Sequence, residues 1–142
     1  MTGAGVSHEL RRKIFEHFGG CCAYCRSPLY LLPGSEHIEH IIPRAAQGLT
    51  VEENLCLCCP RCNSRKGIHT KAIDPITGKR VPLFHPRQQR WGDHFRWTPR
   101  LLRIVGRTAT GRATIHFLRL NDSRFLRARQ LWRRTGWSPV SA

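Results

Sequence analysis

Cys22-Ala23-Tyr24-Cys25 and, further along, Cys59-Pro60-Arg61-Cys62-Asn63 are the stretches on which the reading of this chain turns. Each holds a C-x-x-C knuckle, whose tight turn lets two sulfurs point at one ion. Together they supply four thiolates, the closed tetrahedral set of a structural zinc site. The knuckles are separated by 33 residues, more than the short zinc-finger spacings, so the ion would staple together the two ends of an inserted unit. The chain has seven cysteines, an odd number, and nothing suggests secretion, so a complete disulfide framework does not explain them. No strand–helix pattern of the thioredoxin kind surrounds either knuckle, which argues against a redox pair. Cys21, Cys56 and Cys58 are left over and read as small buried apolar residues, with Cys21 the competing register for Cys22.

Working outward, Glu36-His37-Ile38-Glu39-His40-Ile41-Ile42 has the length and alternation of a strand, stopped by Pro43. Arg44 to Glu53 reads as a polar loop and Asn54-Leu55-Cys56-Leu57-Cys58 as a short second strand. Asn63 and Ser64 are good caps, so a short helix is expected to open there. Upstream, Ser7 can cap a helix over 8–18, whose Leu10, Ile14, Phe15 and Phe18 recur at three and four positions, with Gly19-Gly20 as its stop. Downstream, turns at Asp74-Pro75, Thr77-Gly78, Pro82 and Pro86 interrupt a stretch carrying Phe84, Trp91, Phe95 and Trp97, which predicts an ordered wrap because disordered segments are poor in aromatics. Leu101 to Gly106 resembles a strand, Thr110 a cap for a helix over 111–119, and Asn121-Asp122 the start of a last helix to about Arg134. The expected architecture is α+β: an N-terminal helix (1–20), a zinc-stapled core (21–70) and a basic, aromatic-rich strand/helix extension packed on it (71–142).

The 142 residues amount to one domain's worth of chain, and with 40% of them apolar the core is modest. No run of 18 apolar residues occurs and the first residues lack a signal-peptide pattern, so a soluble, cytoplasmic protein with no membrane partner is expected. Lys and Arg number 24 against 9 Asp and Glu, a formal charge of +15. The surplus is uneven, with 9 cations and 6 anions over 1–71 (+3) but 15 and 3 over 72–142 (+12). Twenty of the cations are Arg, whose planar fork grips phosphate in two places, so a polyanion is the natural partner. Arg124, Arg127, Arg129, Arg133 and Arg134 spread around a helix, so only some of them can touch phosphate.

The insert holds a coherent set of polar residues. Glu39 carboxylate and Asn63 carbonyl could hold a hard divalent cation and leave positions open for water and a phosphate oxygen. His40, projecting differently from the end of the strand, could take the proton of an attacking water. Asn54, at the loop-to-strand junction, suits hydrogen bonding to backbone and so holding the loop that aims His40. His37, two residues before Glu39, is a candidate further ligand, or else a solvated strand histidine. Lys66 and Arg65 fall in the first turn after Asn63, where a cation would hold the scissile phosphate, although a solvated helix face reads equally well for Arg65. Arg44 is a weaker phosphate candidate.

Taken together, Cys22-x-x-Cys25, Glu39-His40-Ile41-x-Pro43, Asn54-Leu55 and Cys59-x-x-Cys62-Asn63-x-x-Lys66-Gly67 resemble the HNH endonuclease family with its ββα-metal fold. The resemblance runs from about Cys22 to Gly67. It implies that Glu39 and Asn63 bind the catalytic metal, that His40 is the general base and that Asn54 orders the active-site loop. Glutamate stands where aspartate is more usual and the last letter is Asn63, giving an H-N-N variant. The implied activity is hydrolysis of DNA phosphodiester bonds with Mg²⁺ or Mn²⁺, one strand per active site, beside a structural Zn²⁺. Two other readings stay open: a non-catalytic zinc-dependent DNA-binding subunit, and a nuclease directed at RNA. A larger complex or a homodimer is not readable. Asp74-Pro75-x-Thr77-Gly78, Leu83-Phe84-x-Pro86-Arg87, Trp91-x-Asp93-His94-Phe95-x-Trp97 and Gly111-Arg112-Ala113-Thr114 resemble an extension of small prokaryotic HNH proteins that implies no role of its own. Asp93 and His94 read as structural hydrogen-bonding groups.

Overall fold

Ser7 opens the first helix by accepting the Leu10 N–H on its Oγ at 3.1 Å in a computed structural model, which describes residues 5–100 and 102–138. Met1–Ala4, at the start of the segment without a signal-peptide pattern, and Leu101, at the start of the expected strand, lie outside the described residues, as do residues 139–142. The chain divides into two compact units, Met1–Thr70 with His85–Gln88, and Lys71–Phe84 with Gln89–Ala142.

In the first unit, α1 (His8–His17) ends as Gly20 N–H bonds back to Phe15 O at 2.9 Å. Its buried Ile14 faces the core, and α1 packs on β2 (Leu55–Cys58). β1 (His37–His40) pairs antiparallel with β2, setting His37 opposite Cys58, Glu39 opposite Cys56 and His40 opposite Leu55. β2 is buried on both faces, which is why Cys56 and Cys58 behave as small apolar residues, whereas β1 alternates. The first strand is shorter than the expected 36–42 because Ile41 and Ile42 turn their N–H groups to the backbone and side chain of Asn54. α2 (Pro60–Lys66) packs on β1 and completes a ββα arrangement. This helix begins three residues before the expected Asn63. Cys59 Sγ takes the N-cap position, accepting Cys62 N–H at 3.4 Å, and Pro60 fills the first helical position, where its missing N–H costs nothing.

The second unit pairs β3 (Lys71–Ile73) with β4 (Arg80–Pro82) and, after a short α3 (Trp91–His94), β5 (Phe95–Trp97) with β6 (Ile104–Gly106). Two helices follow, α4 (Ala109–Leu118) and α5 (Ser123–Arg134). Thr108, not Thr110, caps α4, because its Oγ1 is the one that reaches Gly111 N–H, at 3.0 Å. Asp122 caps α5 through the N–H groups of Arg124 and Phe125, both at 3.0 Å.

Several motif residues of this unit make internal contacts. A Cβ on Gly111 would lie 2.1 Å from His94 O, so α4 can approach only with glycine there. Arg112 donates to both carboxylate oxygens of the buried Asp74 at 3.0 and 2.9 Å. Ala113 lies in a small core with Ala72 and Leu83, and Thr114 Oγ1 accepts Phe84 N–H at 2.9 Å. Asp74 also accepts from Thr77 Oγ1 at 2.8 Å and from Ile76 N–H at 3.1 Å, which closes the β3–β4 turn. The Arg112 guanidinium above all holds the Asp74 carboxyl well below the usual carboxylate range. The aromatic wrap is ordered, with Phe84 edge-on to Phe95 and Trp91 stacked on Trp97. His94 Nδ1 lies 2.6 Å from Thr108 Oγ1, a structural bond. Among the described residues no helix is long and apolar enough to cross a membrane.

Candidate active site and metal cluster

Cys22, Cys25, Cys59 and Cys62 converge with their sulfurs all within 4.8 Å of one another, and all four are buried. A tetrahedral ion with metal–sulfur bonds of about 2.3 Å sets its sulfurs roughly 3.8 Å apart. Cys25 and Cys59 Sγ lie 3.7 Å apart, so the cage is close to the required size. Its register is Cys22: Cys21 Sγ turns instead to Gly19 O at 3.6 Å. The first knuckle is held by Ala23 N–H to Leu57 O (2.8 Å) and Cys22 N–H to Ser27 O (2.9 Å), the second by the start of α2.

The chemistry of the donors also fits a cation. Burial opposes ionising Cys22, but hydrogen bonds from Cys25, Cys58, Cys59 and Cys62 hold its thiol well below the usual value, and those bonds push Cys59 and Cys62 up. Ionisation of Cys22 is thus set against that of Cys59 and Cys62, a conflict that a divalent cation would relieve. The four-cysteine cluster could hold zinc.

The second constellation is built around the loop joining β1 to β2. His40 ends β1 with 6% of its surface exposed, and its Nε2 lies 2.8 Å from Thr50 Oγ1. Burial, reinforced by the Arg44 charge, pushes the imidazole below its usual pKa, so it is neutral at neutral pH. Asn54 Oδ1 accepts Ile42 N–H at 2.8 Å, and its Nδ2 donates to Ile42 O at 3.0 Å and Leu49 O at 2.8 Å. One side-chain amide thus closes the whole loop. Gly48 is forced by the same closure, since a Cβ would sit 1.7 Å from Ile42 O and 2.9 Å from Asn54 Nδ2.

Glu39, half-buried on β1, has its carboxyl raised by burial, an effect the Lys66 charge offsets in part. His37 shares its strand face two residues earlier and is also half-buried. Asn63 is half-buried on α2, one helical turn before Lys66, so both lie on one side of that helix.

Lys66 departs from its expected position at a phosphate. It is 1% exposed, and its ammonium donates to His40 O at 3.3 Å, so it supports the strand end from beneath. Arg65 is half-buried on α2, and Arg44 is exposed on the 3-10 turn that follows Pro43.

Residues 22–68 match the HNH endonuclease family. That HNH segment contains both knuckles, β1, β2 and α2. The CRISPR-associated endonuclease Cas9 of Corynebacterium diphtheriae is 49% identical over 47 residues, which are 32% of this chain and 4% of that protein. The chain thus spans a small part of the length of this relative.

Three residues tied to the HNH constellation escape a reading of the sequence. Thr50 and Gly48 look like ordinary loop residues until His40 and Ile42 are seen against them; a lone glycine in a polar loop was the available signal for Gly48. Arg87 lies outside the HNH segment, yet its Nε donates to Leu55 O at 3.0 Å and its guanidinium lies 5.1 Å over the Phe18 ring. It braces the strand residue paired with His40, a role that its place in the Leu83-Phe84-x-Pro86-Arg87 motif did not disclose.

Proposed function

We propose that this protein is a metal-dependent nuclease of the cytoplasm that hydrolyses phosphodiester bonds in DNA, cutting one strand per active site. The observation that carries the reading is the set about His40: a nearly buried, neutral imidazole 2.8 Å from Thr50 Oγ1, on a loop closed by Asn54, next in sequence to the half-buried carboxyl of Glu39. The HNH match over residues 22–68 supports it.

In the tautomer that donates Nε2–H to Thr50 Oγ1, His40 keeps the lone pair on Nδ1, which takes the proton of the attacking water. Asn54 fixes the loop so that this nitrogen keeps its aim. Glu39 and Asn63 offer hard oxygen donors for Mg²⁺ or Mn²⁺, with His37 a further candidate. When bound, such an ion polarises the phosphate and stabilises charge on the leaving 3′ oxygen. Arg44 and Arg65 hold flanking phosphates. Cys22, Cys25, Cys59 and Cys62 hold a structural zinc whose binding contributes to folding. Residues 21–70 carry the chemistry and 71–142 the charge that retains a polyanion.

Relaxation of supercoiled plasmid with Mg²⁺ or Mn²⁺, with and without EDTA, run beside single-stranded DNA and RNA, tests the reading. Metal-dependent nicking that His40→Ala abolishes, with zinc content and DNA affinity retained, is the expected result. Binding without cleavage under either metal would sink it in favour of a zinc-dependent DNA-binding subunit, and cleavage of RNA alone would redirect it.

A further inference from the structure

The last helix sorts its arginines into two kinds. Arg129 is fully buried, and its guanidinium donates to Leu102 O (2.8 Å), Asn121 Oδ1 (3.2 Å) and Leu120 O (2.6 Å) while lying 5.1 Å from the Trp97 ring. It therefore ties the loop between β5 and β6 to α5. That loop is also closed at its base, by Thr98 N–H to Arg103 O at 3.0 Å and Arg103 N–H to Thr98 Oγ1 at 3.2 Å.

The other kind faces solvent. Gln130, Arg133 and Arg134 line one side of an open groove of about 450 Å³, and Arg100 and Leu102 of the braced loop line the other. All three of these arginines are exposed. Among the described residues no carboxylate lines the groove. The three acidic side chains of the second unit lie elsewhere: Asp74 is paired with Arg112, Asp122 caps the opposite end of α5, and Asp93 is on α3. Three guanidinium groups thus share one concavity in which no described residue of the lining carries a negative charge. One wall of it, Leu102, is held by a buried arginine, so the site is organised before any ligand arrives.

Guanidinium forks match phosphate oxygens two at a time, and the Gln130 amide adds an uncharged donor. We propose that this groove binds the sugar–phosphate backbone of a nucleic acid, with Arg100, Arg133 and Arg134 each pairing a phosphate. The proposal rests on nucleic acid being the substrate and names a second place where the strand is held.

The test is binding of a fluorescein-labelled DNA duplex to the zinc-loaded protein in buffer without Mg²⁺ or Mn²⁺, where no cleavage is expected, over a series of salt concentrations. The triple variant Arg100→Ala/Arg133→Ala/Arg134→Ala is compared with Arg80→Ala/Arg90→Ala/Arg96→Ala, which removes the same charge from exposed positions of the same unit. Each phosphate contact contributes about 0.9 to the slope of log affinity against log salt, so the groove variant should lose about 2 to 3 and the control variant less than about 1. Equal slope losses in the two variants, or an unchanged slope in the groove variant, overturn the groove while leaving the nuclease reading intact. No binding by the wild-type protein overturns both.

Discussion

Lys66 reaches the end of β1, where its ammonium donates to the carbonyl of His40, the residue that borders the loop closed by Asn54. A lysine in this position looks like a substrate contact on a helix diagram and is an internal strut in three dimensions. Lys66→Ala leaves a buried carbonyl without its donor, a loss of about 1–3 kcal/mol. Thermal unfolding should register that loss and cleavage should fall with it. The salt dependence of DNA binding should be unchanged; a slope reduced by a full phosphate contact would return Lys66 to the substrate.

Asn54 makes three hydrogen bonds that no other side chain of its size can reproduce. At about 1 kcal/mol each, Asn54→Ala should destabilise the loop by roughly 3 kcal/mol. Gly48→Ala should do comparable damage, since its methyl would collide with the Ile42 carbonyl. Both variants should retain bound zinc while the cleavage rate drops at least about tenfold, one 1.4 kcal/mol step in barrier. Metal analysis beside a plasmid assay checks this, and a Gly48→Ala variant of full activity would refute the close approach.

The sulfur cage makes a prediction at single-residue resolution. Cys22→Ser and Cys59→Ser should lose the bound metal and unfold the first unit, because the cage is closed and buried. Cys21→Ser, one position away but directed to Gly19 O, should keep a full complement of metal. Zinc released to a colorimetric chelator on thiol modification gives the count.

Asp74 sets the acid limit of the second unit. Its carboxyl is depressed in the folded state, so its contribution to stability is fully present above the unfolded value of about 3.9 and is lost as pH falls towards the folded one. The melting temperature should therefore fall steadily below about pH 5. Asp74→Asn should be less stable than the wild type at neutral pH and show a flatter acid limb. Two parallel limbs would show that the Arg112 pair contributes nothing.

The sequence announced most of the first unit through features that owe little to distant contacts. Two knuckles, an alternating strand stopped by Pro43 and a Ser7 cap are local signals, and each corresponds to an element. The start of α2 was hidden because Cys59 is both a cage sulfur and a helix cap, and a thiol is not among the usual cap residues; Pro60 at the first helical position was the legible clue. Thr108 and Thr110 could be told apart only by which hydroxyl reaches Gly111. The inward turns of Lys66 and Arg129 were illegible for a different reason. Charged residues are buried only where partners are supplied, and theirs are carbonyls from remote parts of the chain and the Trp97 ring. The geometry of the His40 loop was foreshadowed by Asn54 alone, since Thr50 acquires its meaning from a ring ten residues earlier in the chain.

His85–Gln88 belongs with the first unit although the residues on either side belong with the second. The polypeptide therefore passes from one unit to the other three times, so no single cut frees either of them intact. A fragment ending at Thr70 would hold the complete HNH segment and still lack Arg87, the brace on the Leu55 carbonyl. The stretch that carries the family signature is thus shorter than the body that must fold around it. Transplanting it into another protein would require either that returning segment or a substitute for its guanidinium.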